Sequence, residues 1–114
     1  MNDNLKTCET NPELITAFIE LRVTPTSGAG FDRIAERICQ YPQVKSLRLV
    51  SGGYDFAITV EEKNIKDVAF FVSEKLSVIG GIVATSTHFE LKKYKVDGVV
   101  IPHESADNRE VITL

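Results

Sequence analysis

The sequence predicts an α+β fold in which two helices cover one face of a four-stranded antiparallel sheet. Three observations lead to this prediction: four runs in which apolar and polar residues alternate, two runs with apolar residues at helical spacing, and the order strand, helix, strand, strand, helix, strand. This order repeats itself in halves, which is the ferredoxin-like βαββαβ plan. The 114 residues, 43% of them hydrophobic, suffice for one such domain and are too few for two.

The first predicted strand runs from Ile15 to Thr24. Its alternation places four apolar side chains on one face: Ala17, Ile19, Leu21 and Val23. A helix then ends before Pro42, and its apolar stripe has five members: Phe31, Ile34, Ala35, Ile38 and Cys39. The run VKSLRLVS, residues 44–51, returns to the two-residue period of a strand. Its apolar residues are expected on two opposite faces, with Val44 and Val50 on one and Leu47 and Leu49 on the other.

Gly52 and Gly53 separate this strand from a third alternating run, YDFAITV. A Gly-Gly pair favours a tight two-residue hairpin, because type I′ and II′ turns need positive φ angles. The second helix is expected to begin at a capping Asn64 and to end at Gly80. Its predicted buried stripe has six members: Ile65, Val68, Ala69, Val72, Leu76 and Ile79. A last long strand is predicted over residues 82–94, bounded by Asp97-Gly98.

The charge of the chain argues against several classes of function. A formal net charge of -3 disfavours a general binder of nucleic acids or anionic membranes, since such proteins need a dense basic surface. The first fifteen residues lack the pattern of a secretory signal, and no apolar run reaches membrane-spanning length. A cytoplasmic protein without membrane contact is therefore expected. No helix-turn-helix pattern occurs, so direct DNA binding by this chain alone is not expected.

Cysteine and histidine usage gives no sign of a metal site or a cofactor. Cys8 and Cys39 cannot form a disulfide framework or a CxxC motif, and Cys39 is expected in the core of the first helix. His88 and His103 have no cysteine or second histidine at metal-ligand spacing. No catalytic residue, metal or cofactor is predicted.

The face of the sheet away from the helices is expected to be apolar in part. Phe18 lies on the second face of the first strand, Leu47 and Leu49 lie on one face of the second strand, and Phe70 and Phe71 widen the apolar stripe of the second helix. Excess apolar surface on a small domain indicates a partner, most simply a second copy packed sheet against sheet. We therefore predict a homodimer or a higher assembly.

The stretch SGGYDF, residues 51–56, is the strongest candidate for a ligand site. The backbone N–H groups of Ser51, Gly52 and Gly53 can form a concavity for a carboxylate. Asp55 can hold an ammonium group, and Tyr54 can form a wall of the pocket. Alternatively, Tyr54 packs on the neighbouring phenylalanine and Asp55 only accepts N–H bonds of the turn. The residues alone favour this second interpretation.

A second polar cluster lies in the last predicted strand. Thr85, Ser86 and Thr87 supply hydroxyls that can complete such a pocket. Threonine is also an ordinary strand residue, so these hydroxyls do not establish a site by themselves.

Residues 15–101 resemble the effector-binding and oligomerisation domain of the leucine-responsive and asparagine-responsive regulators, the Lrp/AsnC family. The resemblance rests on the order and spacing of three motifs: a glycine-X-tyrosine-aspartate turn after the second strand, FxxEKL in the second helix and TxT in the last strand. It implies a ferredoxin-like domain related to the amino-acid-binding ACT modules. Such domains dimerise through their sheets as a dimeric αβ barrel, and the dimers commonly assemble into octamers.

The resemblance also implies an amino-acid effector that binds between dimers and biases their assembly. It places Gly52, Gly53, Tyr54 and Asp55 in the effector turn. Two further positions, Thr85 and Thr87, belong to the last strand. The function expected from the resemblance is a non-enzymatic amino-acid-sensing domain of transcriptional regulation.

Family members usually carry a helix-turn-helix domain before this one. Here a polar leader, residues 1–14, precedes the ligand-binding domain, residues 15–101, and a tail follows at residues 102–114. The chain is therefore expected to be a stand-alone sensor, which could co-assemble with full-length regulators, or a fragment of a longer regulator.

Two other functions remain open at this point. The first is a small dimeric ferredoxin-like barrel enzyme of the monooxygenase or isomerase type. Its candidate residues would be His88, Glu90 and Asp55, whose spacing does not bring them together. The second is a purely structural interaction module.

Overall fold

A computed structural model of the chain describes residues 14–24 and 30–103. Most of the predicted leader, including Cys8, lies outside the described residues. So do the connection at residues 25–29 and the tail beyond His103.

The described residues form a four-stranded sheet, two helices and a small hairpin. The elements are β1 (Ile15–Val23), α1 (Gly30–Cys39), β2 (Val44–Leu49), β3 (Phe56–Glu62), α2 (Ile65–Phe70) continuing into a π-helical turn (Phe71–Leu76), β4 (Ile82–Phe89), β5 (Lys95–Val96) and β6 (Val99–Val100). The sheet order is β2-β3-β1-β4, and every neighbouring pair is antiparallel. The predicted α+β, ferredoxin-like βαββαβ fold is confirmed. No described helix combines the length and apolar character needed to cross a membrane.

The core lies between one face of the sheet and the two helices. In the register of β1 and β3, Ile19 is opposite Ile58 and Leu21 is opposite Phe56, so these four side chains share a face. They are fully or almost fully buried. Five helical side chains complete the core from above: Ile34, Ile38, Val68, Phe71 and Leu76. Because each such buried side chain contributes about 1.5–3 kcal/mol, this interface holds the two layers together.

The second helix begins as predicted. The side chain of Asn64 accepts a hydrogen bond of 2.8 Å from the backbone N–H of Asp67, which caps the helix. Its buried stripe differs from the prediction, although three predicted members are buried: Val68, Leu76 and Ile79. Ile65 and Ala69 are exposed, and Phe71 is buried instead.

The π-helical turn explains this difference. Here the N–H of Ser77 donates to the carbonyl of Val72, five residues back, at 2.9 Å. Phe71 and Leu76 are one five-residue turn apart, so both point at the sheet. The turn also ends the helix at Leu76, whereas the sequence predicted an end near Gly80.

Strand β2 also differs from its prediction. A bulge between Val44 and Ser46 shifts the register, so that Val44 is opposite Val60 and Leu47 is opposite Ile58. Val44 and Leu47 therefore lie on the same face, and both pack against the core. The prediction that they lie on opposite faces was wrong, because strict alternation does not allow for an extra residue.

The tight hairpin lies at Asp97-Gly98 and not at Gly52-Gly53, where the sequence predicted it. Pairing between β2 and β3 stops at Leu49 and Phe56, so the connection is a loop of residues 50–55 rather than a two-residue hairpin. Only Gly52 of the glycine pair has a positive φ, 136°. The tight hairpin is Asp97-Gly98, with φ angles of 50° and 82°, and it joins β5 to β6. The last strand of the sheet ends at Phe89 rather than at residue 94.

Cys39 is exposed rather than part of the core. The side chains that α1 buries are Ile34 and Ile38, which are four residues apart on one face of the helix. Cys39 follows Ile38 directly and is rotated about 100° away from it around the helix axis.

The face of the sheet away from the helices is mostly polar. Phe18 is its large apolar side chain, and it is 41% exposed. Its neighbours across the sheet are Thr59 on β3 and His88 on β4. The predicted apolar excess on this face is smaller than expected, because Leu47 and Leu49 pair with core residues and lie on the helix side.

Candidate ligand-binding site

The loop of residues 50–55 lies at the end of the sheet where β1 ends and β4 begins. Three hydrogen bonds of 2.8 Å fix this loop. The N–H of Val50 donates to the carbonyl of Asp55, the N–H of Asp55 donates to the carbonyl of Leu21, and Nη2 of Arg22 donates to the carbonyl of Gly53. The loop is therefore attached both to itself and to β1.

The carboxylate of Asp55 takes part in the same attachment. Its Oδ2 accepts a hydrogen bond of 2.9 Å from the backbone N–H of Val23, in a partly buried position. The alternative without a ligand predicted that Asp55 accepts N–H bonds of the turn itself. The observed donor belongs instead to β1. Among the described residues Oδ1 has no hydrogen-bond partner. One oxygen thus anchors the loop, and the other is available to a ligand.

The remaining loop residues leave their polar groups accessible. Ser51, Gly52 and Gly53 are exposed, and Tyr54 is half-buried. Phe56 forms an edge-to-face pair with Phe31, with ring centroids 5.9 Å apart. Within the described part of the chain Tyr54 takes part in no ring pair. The ring pair of Phe56 is thus made with Phe31 and not with Tyr54.

The three predicted residues of β4 lie on two different faces. Thr85 and Thr87 pair with Leu21 and Ile19, so both face the helix side and are half-buried. Ser86 pairs with Glu20 and points to the open face. There its Oγ lies 3.3 Å from Nε2 of His88. Ser86 thus lies on the opposite face of the sheet from Thr85 and Thr87.

In the sheet, β1 lies between the loop and the threonines of β4. Phe56 and Thr85 flank Leu21 on its two sides in the sheet. Two strand spacings separate them, roughly 10 Å. The loop and the threonines of β4 are therefore two candidate half-sites on the two sides of β1.

A depression that the sequence did not predict adjoins the second half-site. It has a volume of about 310 Å³ and is lined by Ser77, Ile82, Val83, Ala84 and Thr85. Of these residues only Thr85 was a candidate. Ser77 was missed because the sequence predicts a regular helix as far as Gly80, and no motif in the sequence signals the π-helical turn that ends it earlier.

The residues considered for an enzyme do not converge. His88 lies opposite Phe18 on β1, whereas Asp55 bonds to Val23, about 17 Å further along that strand. Glu90 forms an ion pair with Lys93. In residues 14–24 and 30–103 no group of three or more His, Cys, Asp or Glu side chains is placed to hold a metal ion.

Comparison with known proteins decides the family. Residues 16–100 match the Lrp/AsnC ligand binding domain, which covers most of the chain. The chain belongs to the Lrp/AsnC family. It is 46% identical over 101 residues to the HTH-type transcriptional regulator YugG of Bacillus subtilis, covering 89% of this chain and 61% of that protein. A Pyrococcus furiosus HTH-type regulator is 36% identical over 72 residues, covering 63% of this chain and 48% of its own length. The chain thus spans about half to three fifths of the length of these two Lrp/AsnC relatives.

Solved structures of this Lrp/AsnC fold agree with the sheet topology. FFRP-DM1 superposes with a TM-score of 0.60 at 30% identity, covering 68% of this chain and 99% of that one. The transcriptional regulator NMB0573 of Neisseria meningitidis, in complex with L-Met, superposes with a TM-score of 0.70. It is 20% identical, with 82% of this chain and 60% of that chain covered, so it bears on the fold alone.

Membership in the Lrp/AsnC family confirms the predicted class of protein. The chain is a regulatory ligand-binding domain and not an enzyme, and this class implies a small-molecule effector and oligomerisation. The relatives named above are transcriptional regulators, so the alternative of a barrel enzyme finds no support among them.

Proposed function

We propose that this domain senses a free amino acid in the cytoplasm and responds by a change in its assembly, as the effector domain of Lrp/AsnC-type transcriptional regulation. The observation that carries the proposal is the loop of residues 50–55. It is held firmly on β1 while its amides are exposed and one carboxylate oxygen of Asp55 stays available. A preorganised loop of this kind suits a small zwitterion, because little ordering is needed when the ligand binds.

The two charged ends of an amino acid match the two kinds of group on the loop. The backbone N–H groups of Ser51, Gly52 and Gly53 are donors for the carboxylate. Oδ1 of Asp55 is an acceptor for the ammonium group, and a charge-assisted hydrogen bond of this type is stronger than a neutral one. Tyr54 forms the wall beside them.

We further propose that a second copy completes the site. In the sheet register Thr85 is two strand spacings, roughly 10 Å, from Phe56 at the end of the loop, and Thr87 lies further along β4, so β1 stands between the loop and both threonines in one copy. A neighbouring dimer in an octamer would bring its threonines to this loop. Binding would then stabilise the contact between dimers, because a ligand that binds only the assembled form shifts the equilibrium toward it. NMB0573, which shares the fold, forms a complex with L-Met.

Transcriptional control needs a DNA-binding element in addition to this domain. The described residues form the single α+β unit and contain no helix-turn-helix. We propose that the DNA contact is made by a helix-turn-helix domain, either of the same polypeptide or of a full-length regulator that co-assembles with this chain.

The proposal is tested by measuring the mass in solution and the melting temperature with each of the twenty amino acids. One or a few amino acids are expected to raise the melting temperature and change the mass. At a concentration of 100 times Kd the stabilisation should be about 2.7 kcal/mol. The N-acetyl and amide derivatives of the active amino acid serve as controls, since each lacks one end of the zwitterion and should be inactive. A protein whose mass and melting temperature respond to no amino acid would contradict the proposal.

A further inference from the structure

The depression beside β4 is built from the end of the π-helical turn and the first half of the strand. Ser77 comes from the helix end, and Ile82, Val83, Ala84 and Thr85 form the other side. A volume of about 310 Å³ is ample for one amino-acid side chain. The depression belongs to the half-site of Thr85. The loop of residues 50–55 of the same chain does not line it.

The backbone around this depression is fixed. The N–H of Ser77 is bound to the carbonyl of Val72, and the N–H of Ile79 donates to the carbonyl of Leu76 at 3.0 Å. On the other side the N–H of Thr24 donates to the carbonyl of Gly81 at 2.7 Å, which fixes the start of β4 to the end of β1. The N–H of Ile82 donates to the carbonyl of Ile79 at 3.3 Å, which joins the helix end to the start of β4.

The chemistry of the lining is neutral and partly polar. Ser77 and Thr85 each bring a hydroxyl, and within residues 14–24 and 30–103 neither hydroxyl makes a side-chain hydrogen bond. The other three lining side chains are aliphatic, and none of the five carries a charge. Such a lining can donate and accept hydrogen bonds but offers no opposite charge that would offset the desolvation of a charged group.

We propose that this depression receives the side chain of the effector and that Ser77, together with Thr85, selects an uncharged polar side chain, a carboxamide or a hydroxyl. This inference rests on the proposed amino-acid sensing. The ligand's charged ends lie on the loop of one copy, and its side chain enters the depression of the neighbouring copy. A site built to hydrogen-bond a side chain rejects analogues that lack the polar group, because its own polar atoms are then left without partners.

The test compares the wild-type protein with Ser77→Ala, Ser77→Thr and Ser73→Ala. Binding of asparagine, glutamine, serine, threonine, leucine, methionine, lysine and glutamate is measured by calorimetry and thermal shift. The wild type should bind one of the first four most tightly. Loss of the hydroxyl in Ser77→Ala should weaken that binding roughly five- to tenfold, the effect of one hydrogen bond. Ser77→Thr keeps a hydroxyl and should bind more tightly than Ser77→Ala.

Ser73→Ala is the matched control, because Ser73 is exposed on the same helix and its hydroxyl bonds only to the carbonyl of Phe70. Its affinity and selectivity should equal those of the wild type. A wild type that prefers leucine, methionine or a charged amino acid, or a Ser77→Ala variant with unchanged affinity, would overturn the subsite and leave the sensor function standing. A wild type that responds to none of the twenty amino acids in the screen under Proposed function would overturn both. Equal melting temperatures of the ligand-free variants show that folding is unaffected.

Discussion

Asp55 has two tasks at the level of a single residue. Its Oδ2 accepts a hydrogen bond from the N–H of Val23, which joins the loop to the end of β1, and its Oδ1 is the proposed acceptor for the ligand's ammonium group. The same carboxylate thus shapes the site and supplies its negative charge. A variant that removes the whole side chain changes both properties, so it cannot separate them.

Two substitutions at Asp55 separate anchoring from charge. Asp55→Asn keeps an oxygen acceptor for the N–H of Val23, so its free energy of unfolding should stay close to that of the wild type. It lacks the negative charge, and its melting temperature should no longer respond to the effector. Asp55→Ala leaves a partly buried N–H without its partner and should lower the free energy of unfolding by about 1–2 kcal/mol as well. Urea denaturation and thermal shift measure the two effects, and a full response of Asp55→Asn would refute the ammonium-binding role.

The start of β4 depends on one glycine at the level of the elements. Gly81 has a φ of 101°, and an added Cβ would lie 2.9 Å from Cδ1 of Ile34 and 3.3 Å from the carbonyl oxygen of Thr24. Gly81→Ala should therefore lower the free energy of unfolding by about 1–3 kcal/mol. Gly53→Ala is its control, because Gly53 has no positive φ and no atom within 4 Å of an added Cβ. Equal stability of the two variants in urea denaturation would show that the helix–strand connection tolerates a side chain.

The elements themselves follow from local sequence patterns. The alternating sequence of β1 predicted a strand, and Asn64 predicted the start of α2. Both predictions are confirmed, because each feature depends only on residues that are close in sequence. The bulge after Val44 and the π-helical turn at Phe71–Leu76 did not follow, since both are set by how the layers pack. At these positions an apolar residue is compatible with a regular element and with a bulge or π-helical turn. Only the packing of the sheet against the helices decides between them.

The candidate site was predictable in its parts but not in its arrangement. The candidate effector turn is a local motif, and its residues were named from the sequence. The sheet order then puts β1 between that turn and β4, which separates Thr85 from the loop and turns Ser86 to the other face. Ser77 lines the depression because the π-helical turn ends directly before it, and no motif in the sequence predicts that turn.

At the level of the whole molecule, the open face of the sheet is the surface that we propose for dimerisation. It is mostly polar, with Phe18 in the register between Thr59 and His88. Interfaces of this kind depend on a few large side chains at their centre, and the polar residues around them supply complementarity rather than most of the affinity. Phe18 is therefore expected to carry a large part of the dimer contact, although most of the face is hydrophilic.

Phe18→Asp tests this assignment. A carboxylate buried between two sheets would lack a partner and, by two-fold symmetry, would lie near its own copy, so the dimer should dissociate. Light scattering should show a lower mass at micromolar concentration. Ile65→Asp is the matched control, because Ile65 is 57% exposed on α2 and should not affect a contact made by the sheet. An unchanged mass for Phe18→Asp, or an equal loss in both variants, would place the contact elsewhere. Dissociation of Phe18→Asp alone would place the dimer contact on the open face of the sheet and Ile65 outside it, as the proposed meeting of the loop and the β4 depression with a neighbouring dimer requires.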